Sequence, residues 1–242
     1  MNEKEFKKIK EKLLLAMLTN VPFDGWTWQA LYTGAEDLKI FSHEIKEDEK
    51  SKLKSLFEFD LVNIVNDFNV YLDNKMKQKF LKEKYGDLRT PEKIKKLILL
   101  RLNLAKKYKE SIRVSLSFMT LPKNSKRSIN MLYKTCDQIW RISGDRSTDF
   151  SFYSKRLILS GVYSSTLLHW INDESKNSHD TENFLDRRLL DVSKIGKLKN
   201  AKSFFNKKNL DTSKLSIRFL SDISKSIYKT NFGKLINRFK NI

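Results

Sequence analysis

Apolar residues recur along most of the chain three and four positions apart, which is the spacing of one face of an α-helix. Phe6, Ile9 and Leu13 begin such a stripe and predict a first helix over residues 3–19, which the segment 22–25 (Pro-Phe-Asp-Gly) is expected to end. Thr27 is positioned to cap a second short helix, because its hydroxyl can accept a hydrogen bond from the first helical turn. A turn over residues 34–39 and a third helix over residues 40–45 are expected next.

The same periodicity continues through longer segments. A long helix is predicted over residues 56–84, closed by Gly86, and Thr90 and Pro91 are placed to cap and open the next one. Later helices are predicted over residues 109–121, from Ser125 or Ser128 to Gly144, from Thr148 to Asn172, and from Thr181 to residue 195. Only 7 Gly and 3 Pro occur in 242 residues, too few for the turns of an all-β protein. We therefore predict an all-α fold of about ten helices.

The order of the helices predicts four segments. These are a helix-turn-helix unit over residues 1–56, a helical domain over 57–195, a Lys- and Asn-rich linker over 196–210 and a tail helix over 211–242. The first unit has the helix order of a DNA-binding module, but residues 20–58 hold eight acidic residues against five lysines. DNA phosphates would repel such a surface. We therefore expect a vestigial helix-turn-helix that serves as a packing element and binds no nucleic acid.

The positive charge of the chain is concentrated in its tail. Residues 193–242 carry 13 Lys and Arg against two Asp, a net charge of +11 out of +19 for the whole chain. A helical wheel of this tail places its basic residues opposite an apolar stripe, a pattern typical of helices that lie in an anionic membrane surface. Packing of the stripe on the core is the alternative. The stripe comprises Phe219, Leu220, Ile223, Ile227 and Tyr228, and it continues, rotated by about a quarter turn, through Phe232, Leu235 and Phe239.

The sequence offers no pattern of catalytic or metal-binding residues. The single cysteine, Cys136, shares a predicted helix face with apolar residues, and His43, His169 and His179 are far apart along the chain. Phosphate-binding glycine motifs and the paired histidines of zinc enzymes are missing as well. We therefore expect no catalytic residues, no bound metal and no resident cofactor.

Residues 144–156 (GDRSTDFSFYSKR) form the most distinctive segment of the sequence. Gly144 suits the end of one helix and Thr148 the cap of the next. Phe152, Tyr153 and Arg156 then lie within about one turn of each other. An exposed cluster of two aromatic rings and an arginine is typical of the centre of a protein–protein interface. Simple burial of the two rings is the alternative interpretation.

Four blocks of sequence together resemble a known family, the ninth coenzyme Q biosynthesis protein, an accessory protein of ubiquinone biosynthesis. The blocks are residues 21–26 (VPFDGW), residues 137–140 (DQIW) with 144–156, residues 161–163 (GVY), and residues 180–181 (DT) with 184–188 (FLDRR). The resemblance covers residues 8–195, and the block at 144–156 is its most specific part. It implies a TetR-like helical bundle that forms homodimers and has lost DNA binding.

The resemblance also implies a set of ligands and partners. These are lipids, among them isoprenoid quinone intermediates held in a hydrophobic pocket, a membrane surface engaged by the tail helix, and the demethoxyubiquinone hydroxylase. The family's contact surface for that hydroxylase falls on Asp137, Ile139, Trp140, Asp149, Phe152, Tyr153 and Arg156. The family often has Trp at the position of Phe152, and Phe keeps apolar area there but loses the indole N–H donor.

The sequence therefore favours a non-catalytic, lipid-binding accessory protein of ubiquinone biosynthesis. Its N-terminal segment mixes acidic residues with lysines and has no apolar signal region. This favours a bacterial cytoplasmic protein at the inner membrane over one at the matrix face of the mitochondrial inner membrane. A TetR-like, ligand-responsive transcriptional repressor is the first alternative and predicts sequence-specific binding to duplex DNA. An enzyme with a helical lipid pocket is the second.

Overall fold

The computed structural model describes residues 2–41, 44–83, 85, 87–148 and 150–197, and this part of the chain contains α-helices, two 3-10 turns and no strand. The all-α prediction is confirmed. The helices are α1 (Glu3–Asp24), α2 (Trp28–Asp37), α3 (Glu47–Ser55), α4 (Leu61–Lys82), α5 (Thr90–Ala105), α6 (Lys109–Thr120), α7 (Pro122–Ile142), α8 (Phe150–Ile171) and α9 (His179–Lys197).

Helix α1 runs past the predicted stop and includes Pro22 in its last turn. A proline has no N–H to donate to the carbonyl four residues earlier, here that of Leu18. The buried hydroxyl of Ser111 donates to the Leu18 carbonyl oxygen instead, at 2.5 Å. The helix ends one residue before Gly25, which has a positive φ of 69°. The prediction that α1 ends near residue 19 was wrong because a distant side chain supplies the missing donor.

Helix α2 begins after Thr27, whose hydroxyl oxygen accepts from the Ala30 N–H at 3.3 Å as predicted. The expected turn at Gly34 is wrong, since Gly34 lies inside the helix. A Cβ atom on Gly34 would lie 2.7 Å from the backbone nitrogen of Met17. Glycine at this position allows the backbones of α1 and α2 to approach closely.

Helix α3 lies further along the chain than predicted. Ile40, Phe41, Glu44 and Ile45 are not helical, whereas Ser42 and His43 lie outside the described residues. Three acidic residues form the first turn of α3, where they complement the positive end of the helix dipole. The Glu49 carboxylate also accepts from the backbone N–H of Lys46 at 3.0 Å. These contacts explain why the helix starts at Glu47.

Five later helices begin at residues other than those predicted. Helix α4 starts at Leu61 because Glu58 and Phe59 have positive φ values and the Asp60 carboxylate accepts from the Val62 N–H at 2.9 Å. Pro122 ends α6 as predicted but also opens α7, since a proline suits the first helical position. The remaining starts differ by one or two residues: α5 includes Thr90, α8 begins at Phe150, and α9 begins at His179. Gly86, predicted to close α4, lies outside the described residues.

The helices group into two compact units. Unit 1 comprises Met1–Gln78 and Asn103–Met131. In the apolar stripe of α1, Leu13 and Met17 are fully buried, whereas Phe6 and Ile9 near the start of the helix are 38% and 43% exposed. The rings of Trp26 and Phe118 stack at 6.4 Å, and this contact links the α1–α2 connection with the end of α6.

Among the described residues, unit 2 comprises Lys79–Leu102 and residues 132–197. Its core includes Cys136, fully buried as predicted. Lys95 of α5 forms ion pairs with Glu182 and Asp186 of α9, at 2.9 and 2.8 Å. The division of the chain into the four predicted segments stays a prediction. Residues 198–210 of the predicted linker and the whole predicted tail helix lie outside the described residues. None of the described helices combines the length and apolarity needed to cross a membrane.

Candidate functional site

The distinctive segment at residues 144–156 joins the end of α7 to the start of α8 in unit 2. Gly144 ends α7 with a φ of 99°, as predicted, and its N–H donates to the Arg141 carbonyl at 3.1 Å. The next N–H, of Asp145, donates to the Trp140 carbonyl at 3.0 Å. This helix end requires the left-handed conformation that glycine adopts at little cost. After this turn of the chain at Gly144, the Asp145 side chain is only 4% exposed.

Arg156 lies at the centre of the site and is buried, with 1% of its surface exposed. Its Nε donates to Oδ1 of Asp137 at 2.7 Å, and its Nη1 donates to Oδ2 of Asp145 at 2.9 Å. Nη1 also donates to the carbonyl oxygen of Phe152 at 3.0 Å. The arginine thereby connects α7, the loop after it and the first turn of α8. We call Arg156, Asp137 and Asp145 the arginine clamp.

The electrostatics of the clamp favour its charged form. Burial disfavours a charged carboxylate, but hydrogen bonds from Lys155, Ser147 and Arg156 outweigh burial and hold the pKa of Asp145 well below its ordinary value. Burial likewise opposes the charge on Arg156, and the hydrogen bonds to Asp137 and Asp145 raise its pKa nonetheless. Buried charges of this kind are stable only when each has partners.

Three aromatic side chains rest on the clamp and its neighbour Lys155. The guanidinium carbon of Arg156 lies 3.4 Å from the centre of the Phe152 ring, and the Phe152 and Tyr153 rings meet edge to face at 5.1 Å. The Trp140 indole donates to the Lys155 carbonyl at 3.0 Å. Tyr153 is 63% exposed, whereas Trp140 and Phe152 are half-buried. We call Trp140, Phe152 and Tyr153 the aromatic surface.

The structure thus brings six of the seven predicted partner-binding residues together, while Asp149 lies outside the described residues. Two of the six are buried: Arg156 is 1% exposed and Ile139 is fully covered. The expectation of an exposed arginine was wrong, because Arg156 is buried where it pairs with the half-buried Asp137 and with Asp145. Sequence reasoning missed Asp145 and Lys155. Their position in the distinctive segment could have pointed to them, but spacing alone does not show which acid pairs with which base.

The remaining predicted residues are placed as follows. The membrane-binding stripe (Phe219, Leu220, Ile223, Ile227, Tyr228, Phe232, Leu235 and Phe239) lies outside the described residues. His169 is half-buried and stacks on Phe184 with ring centres 4.5 Å apart. Among the described residues, no three His, Cys, Asp or Glu side chains are grouped as a metal site would require.

Comparison with known proteins identifies relatives of this chain. Residues 125–196, which include the clamp and the aromatic surface, match the COQ9 family model. The ubiquinone biosynthesis protein COQ9, mitochondrial, of Rattus norvegicus is 29% identical over 197 residues, and the match covers 78% of this chain and 60% of the relative. The human protein of that name is 28% identical with 78% and 59% coverage. A probable ubiquinone biosynthesis protein coq9, mitochondrial, from Dictyostelium discoideum is also 28% identical, with 80% and 62% coverage.

A solved structure supports the fold. A TetR transcriptional regulator from Nitrosomonas europaea superposes with a TM-score of 0.59 at 18% identity, over 77% of this chain and 98% of the regulator. The predicted TetR-like helical fold is confirmed. The matched region spans about three fifths of the length of the curated relatives. The resemblance predicted from the sequence is also confirmed: over most of its length, this chain is similar to the COQ9 family.

Proposed function

We propose that this protein is a non-catalytic, lipid-binding accessory protein of ubiquinone biosynthesis. In this proposal it binds isoprenoid quinone intermediates at a membrane surface and presents them to the demethoxyubiquinone hydroxylase. One observation carries the proposal. The segment that matches the COQ9 family model contains an exposed tyrosine beside a buried, ion-paired arginine, an arrangement that suits a protein-binding surface.

The geometry supports a division of labour within the predicted contact surface. Tyr153 is exposed and the half-buried Trp140 and Phe152 extend its apolar area, and in the proposal these three rings contact the hydroxylase. Aromatic residues of this kind supply much of the binding free energy of protein interfaces. Ile139 and Arg156 are buried, so in the proposal they support the exposed rings and do not contact the hydroxylase themselves.

A role without catalysis is physically sufficient. A polyprenyl chain loses about 25 cal/mol of favourable free energy for each Å² that it exposes to water. A protein that shields this chain therefore helps a hydroxylase to obtain its substrate without any reacting residue of its own. In the proposal the basic tail holds the protein at the anionic membrane surface from which the lipid is taken.

The compartment and the assembly are part of the proposal. The relatives are named mitochondrial, which is consistent with the mitochondrial alternative for this protein. We propose a homodimer, as the family resemblance implies. The mass of the native protein measures this directly.

A role as a transcriptional repressor is disfavoured by the surface of α3. Its first turn consists of Glu47, Asp48 and Glu49, which DNA phosphates would repel. Lys54 lies over the rings of Trp28 and Tyr32, at 5.9 and 5.8 Å. This lysine is held against the protein's own aromatic residues.

The first experiment identifies the bound lipid. The full chain is purified from its own host and examined by native mass spectrometry, followed by extraction and identification of bound lipids. Isoprenoid quinone precursors on a dimer are the expected result. An empty protein that shifts one specific DNA fragment at physiological salt would overturn the proposal in favour of the repressor.

The second experiment tests the contact with the hydroxylase. Replacing Tyr153 by Ala should weaken hydroxylase binding by about tenfold or more, because an exposed ring at the centre of an interface is lost. Leu190→Ala is the matched control: this side chain is also exposed, at 54%, but lies on α9 outside the aromatic surface. Titration calorimetry with the purified hydroxylase gives both dissociation constants. Equal affinities of the two variants would contradict the assigned surface.

A further inference from the structure

We infer that Asp145 is a positioning residue, which fixes the aromatic surface through the two cations it binds, Arg156 and Lys155. The inference rests on the proposed function in that the aromatic surface is taken as the contact with the hydroxylase. Neither a family resemblance nor a sequence pattern singles out Asp145. Its role follows from what its two carboxylate oxygens hold.

One arm of the arrangement runs from Asp145 to Phe152. Oδ2 of Asp145 accepts from Nη1 of Arg156 at 2.9 Å, and Nε of the same guanidinium donates to Asp137 at 2.7 Å. Two carboxylates on two different edges fix both the position and the plane of the guanidinium. The guanidinium group lies over the Phe152 ring, with its carbon 3.4 Å from the ring centre. The Tyr153 ring in turn contacts the Phe152 ring edge to face.

The other arm runs from Asp145 to Trp140. Oδ1 of Asp145 accepts from Nζ of Lys155 at 2.8 Å, and Ser147 donates to the same oxygen. The ammonium group of Lys155 lies 5.5 Å from the centre of the Trp140 ring, and the Lys155 carbonyl accepts the indole N–H. Asp145 thereby secures both sides of the aromatic surface through cations.

Loss of the negative charge at residue 145 would weaken its contacts with Arg156 and with Lys155 at the same time. An asparagine has nearly the same shape, but it offers Arg156 and Lys155 only a neutral amide oxygen, and its amide group repels a second cationic donor. The guanidinium would then keep Asp137 as its only carboxylate partner within the clamp. We expect the rings to occupy several orientations in the Asp145→Asn protein, so that binding must first select the competent one.

The matched control is Asp173→Asn. Asp173 is also a buried aspartate of unit 2 whose carboxylate accepts several hydrogen bonds, but it lies between α8 and α9 and contacts Ser175 and Thr181. Both substitutions should lower the melting temperature. Only Asp145→Asn should disturb the aromatic surface, so a merely structural role and a positioning role give different results.

The first readout needs no partner. The full chain is labelled with 5-fluorotryptophan, and the fluorine NMR signal of Trp140 is assigned with Trp140→Phe. In Asp145→Asn we expect this signal to shift or broaden, and in Asp173→Asn we expect it to stay where it is in the unsubstituted protein. An unchanged Trp140 signal in Asp145→Asn would overturn the inference.

The second readout is the dissociation constant for the hydroxylase, measured well below the melting temperature of both variants. Asp145→Asn should weaken binding by at least about tenfold, and Asp173→Asn should change it by less than about twofold. Equal affinities of the two variants would overturn the inference. If the unsubstituted protein does not bind the hydroxylase at all, the proposed contact fails, and the fluorine spectra still decide whether Asp145 positions the rings.

Discussion

At the scale of single residues, the fold depends on side chains that complete hydrogen bonds far away in the sequence. Pro22 deprives the Leu18 carbonyl of its helical donor, and Ser111 supplies a replacement. Both Leu18 and Ser111 are 1% exposed, so water cannot take the place of the serine. An unsatisfied buried carbonyl costs about 1–3 kcal/mol.

A double-mutant cycle tests this pairing. Ser111→Ala should destabilise the protein by about 1–3 kcal/mol, because the Leu18 carbonyl then lacks a donor. In a Pro22→Ala background the backbone N–H of residue 22 can bond that carbonyl, so the same substitution should cost less. Urea unfolding of the four proteins gives the coupling free energy. Equal costs in both backgrounds would show that Ser111 does not compensate for the proline.

Residue-scale predictions from the sequence succeeded where a residue acts locally and failed where it acts at a distance. Thr27 and Gly144 were predicted correctly, since a cap and a left-handed helix end depend on neighbouring residues. The burial of Arg156 was not predicted, because it depends on Asp137 and Asp145 folding back onto it. Periodicity does not contain that information.

At the scale of helices, the spacing of apolar residues predicted that the helices exist but not where they begin and end. The boundaries moved wherever a local stop was overridden by packing, as at Pro22 and Gly34. They also moved where a polar side chain set a new start, as Asp60 does for α4. In the candidate site, likewise, the spacing did not predict that Arg156 is buried while its neighbour Tyr153 is exposed.

The packing of α1 against α2 gives a test at this scale. Gly34→Ala should destabilise the protein by about 1–3 kcal/mol, although alanine is the better helix former by about 1 kcal/mol. The added Cβ would lie 2.7 Å from the Met17 nitrogen, and backbone cannot move aside as a flexible side chain can. Gln29→Ala, at an exposed position of the same helix, should change stability by less than about 0.5 kcal/mol. Thermal unfolding compares them, and a Gly34→Ala protein as stable as the parent would refute the close approach.

The junction between α8 and α9 predicts how stability depends on pH. The Asp173 carboxylate accepts from the N–H groups of Ser175 and Thr181, both at 2.8 Å. Burial opposes its charge, but these bonds and the Thr181 hydroxyl lower its pKa below the ordinary 3.8. A lowered carboxylate pKa contributes stability above about pH 4, and this contribution is lost as the pH falls further.

Asp173→Asn should therefore reduce stability at pH 7 by about 1–3 kcal/mol and flatten the loss of stability below about pH 4. Denaturant unfolding at several pH values from 2.5 to 7 measures both effects, with the range chosen around the ordinary carboxylate pKa of 3.8. The slope should not vanish, because Asp145 has a lowered pKa as well. An unchanged slope in the variant would mean that Asp173 is not charged in the folded protein.

At the scale of the whole molecule, charge is distributed unevenly along the sequence. The last 50 residues, 193–242, hold a net charge of +11 of the total +19. If the tail binds membranes as proposed, replacing Leu220, Ile223 and Ile227 by Ser should abolish sedimentation with anionic liposomes. Lys225→Gln with Lys229→Gln should instead weaken binding and reduce its dependence on salt, because apolar contacts remain. Undiminished binding of the triple-serine protein would refute the tail hypothesis.

The discontinuous composition of unit 1 has a consequence for synthesis. Its second stretch, Asn103–Met131, leaves the ribosome only after residues 79–102, which belong to the other unit. Until α6 has emerged, the Leu18 carbonyl lacks its hydrogen-bond donor, the Ser111 hydroxyl, which lies 93 residues further along the chain. The side of α1 that packs on α6 lacks its partner during that interval, so we expect the nascent chain to be most prone to aggregate before residue 131 has emerged. We expect its demand for chaperones to be greatest during that period, regardless of how stable the finished protein is.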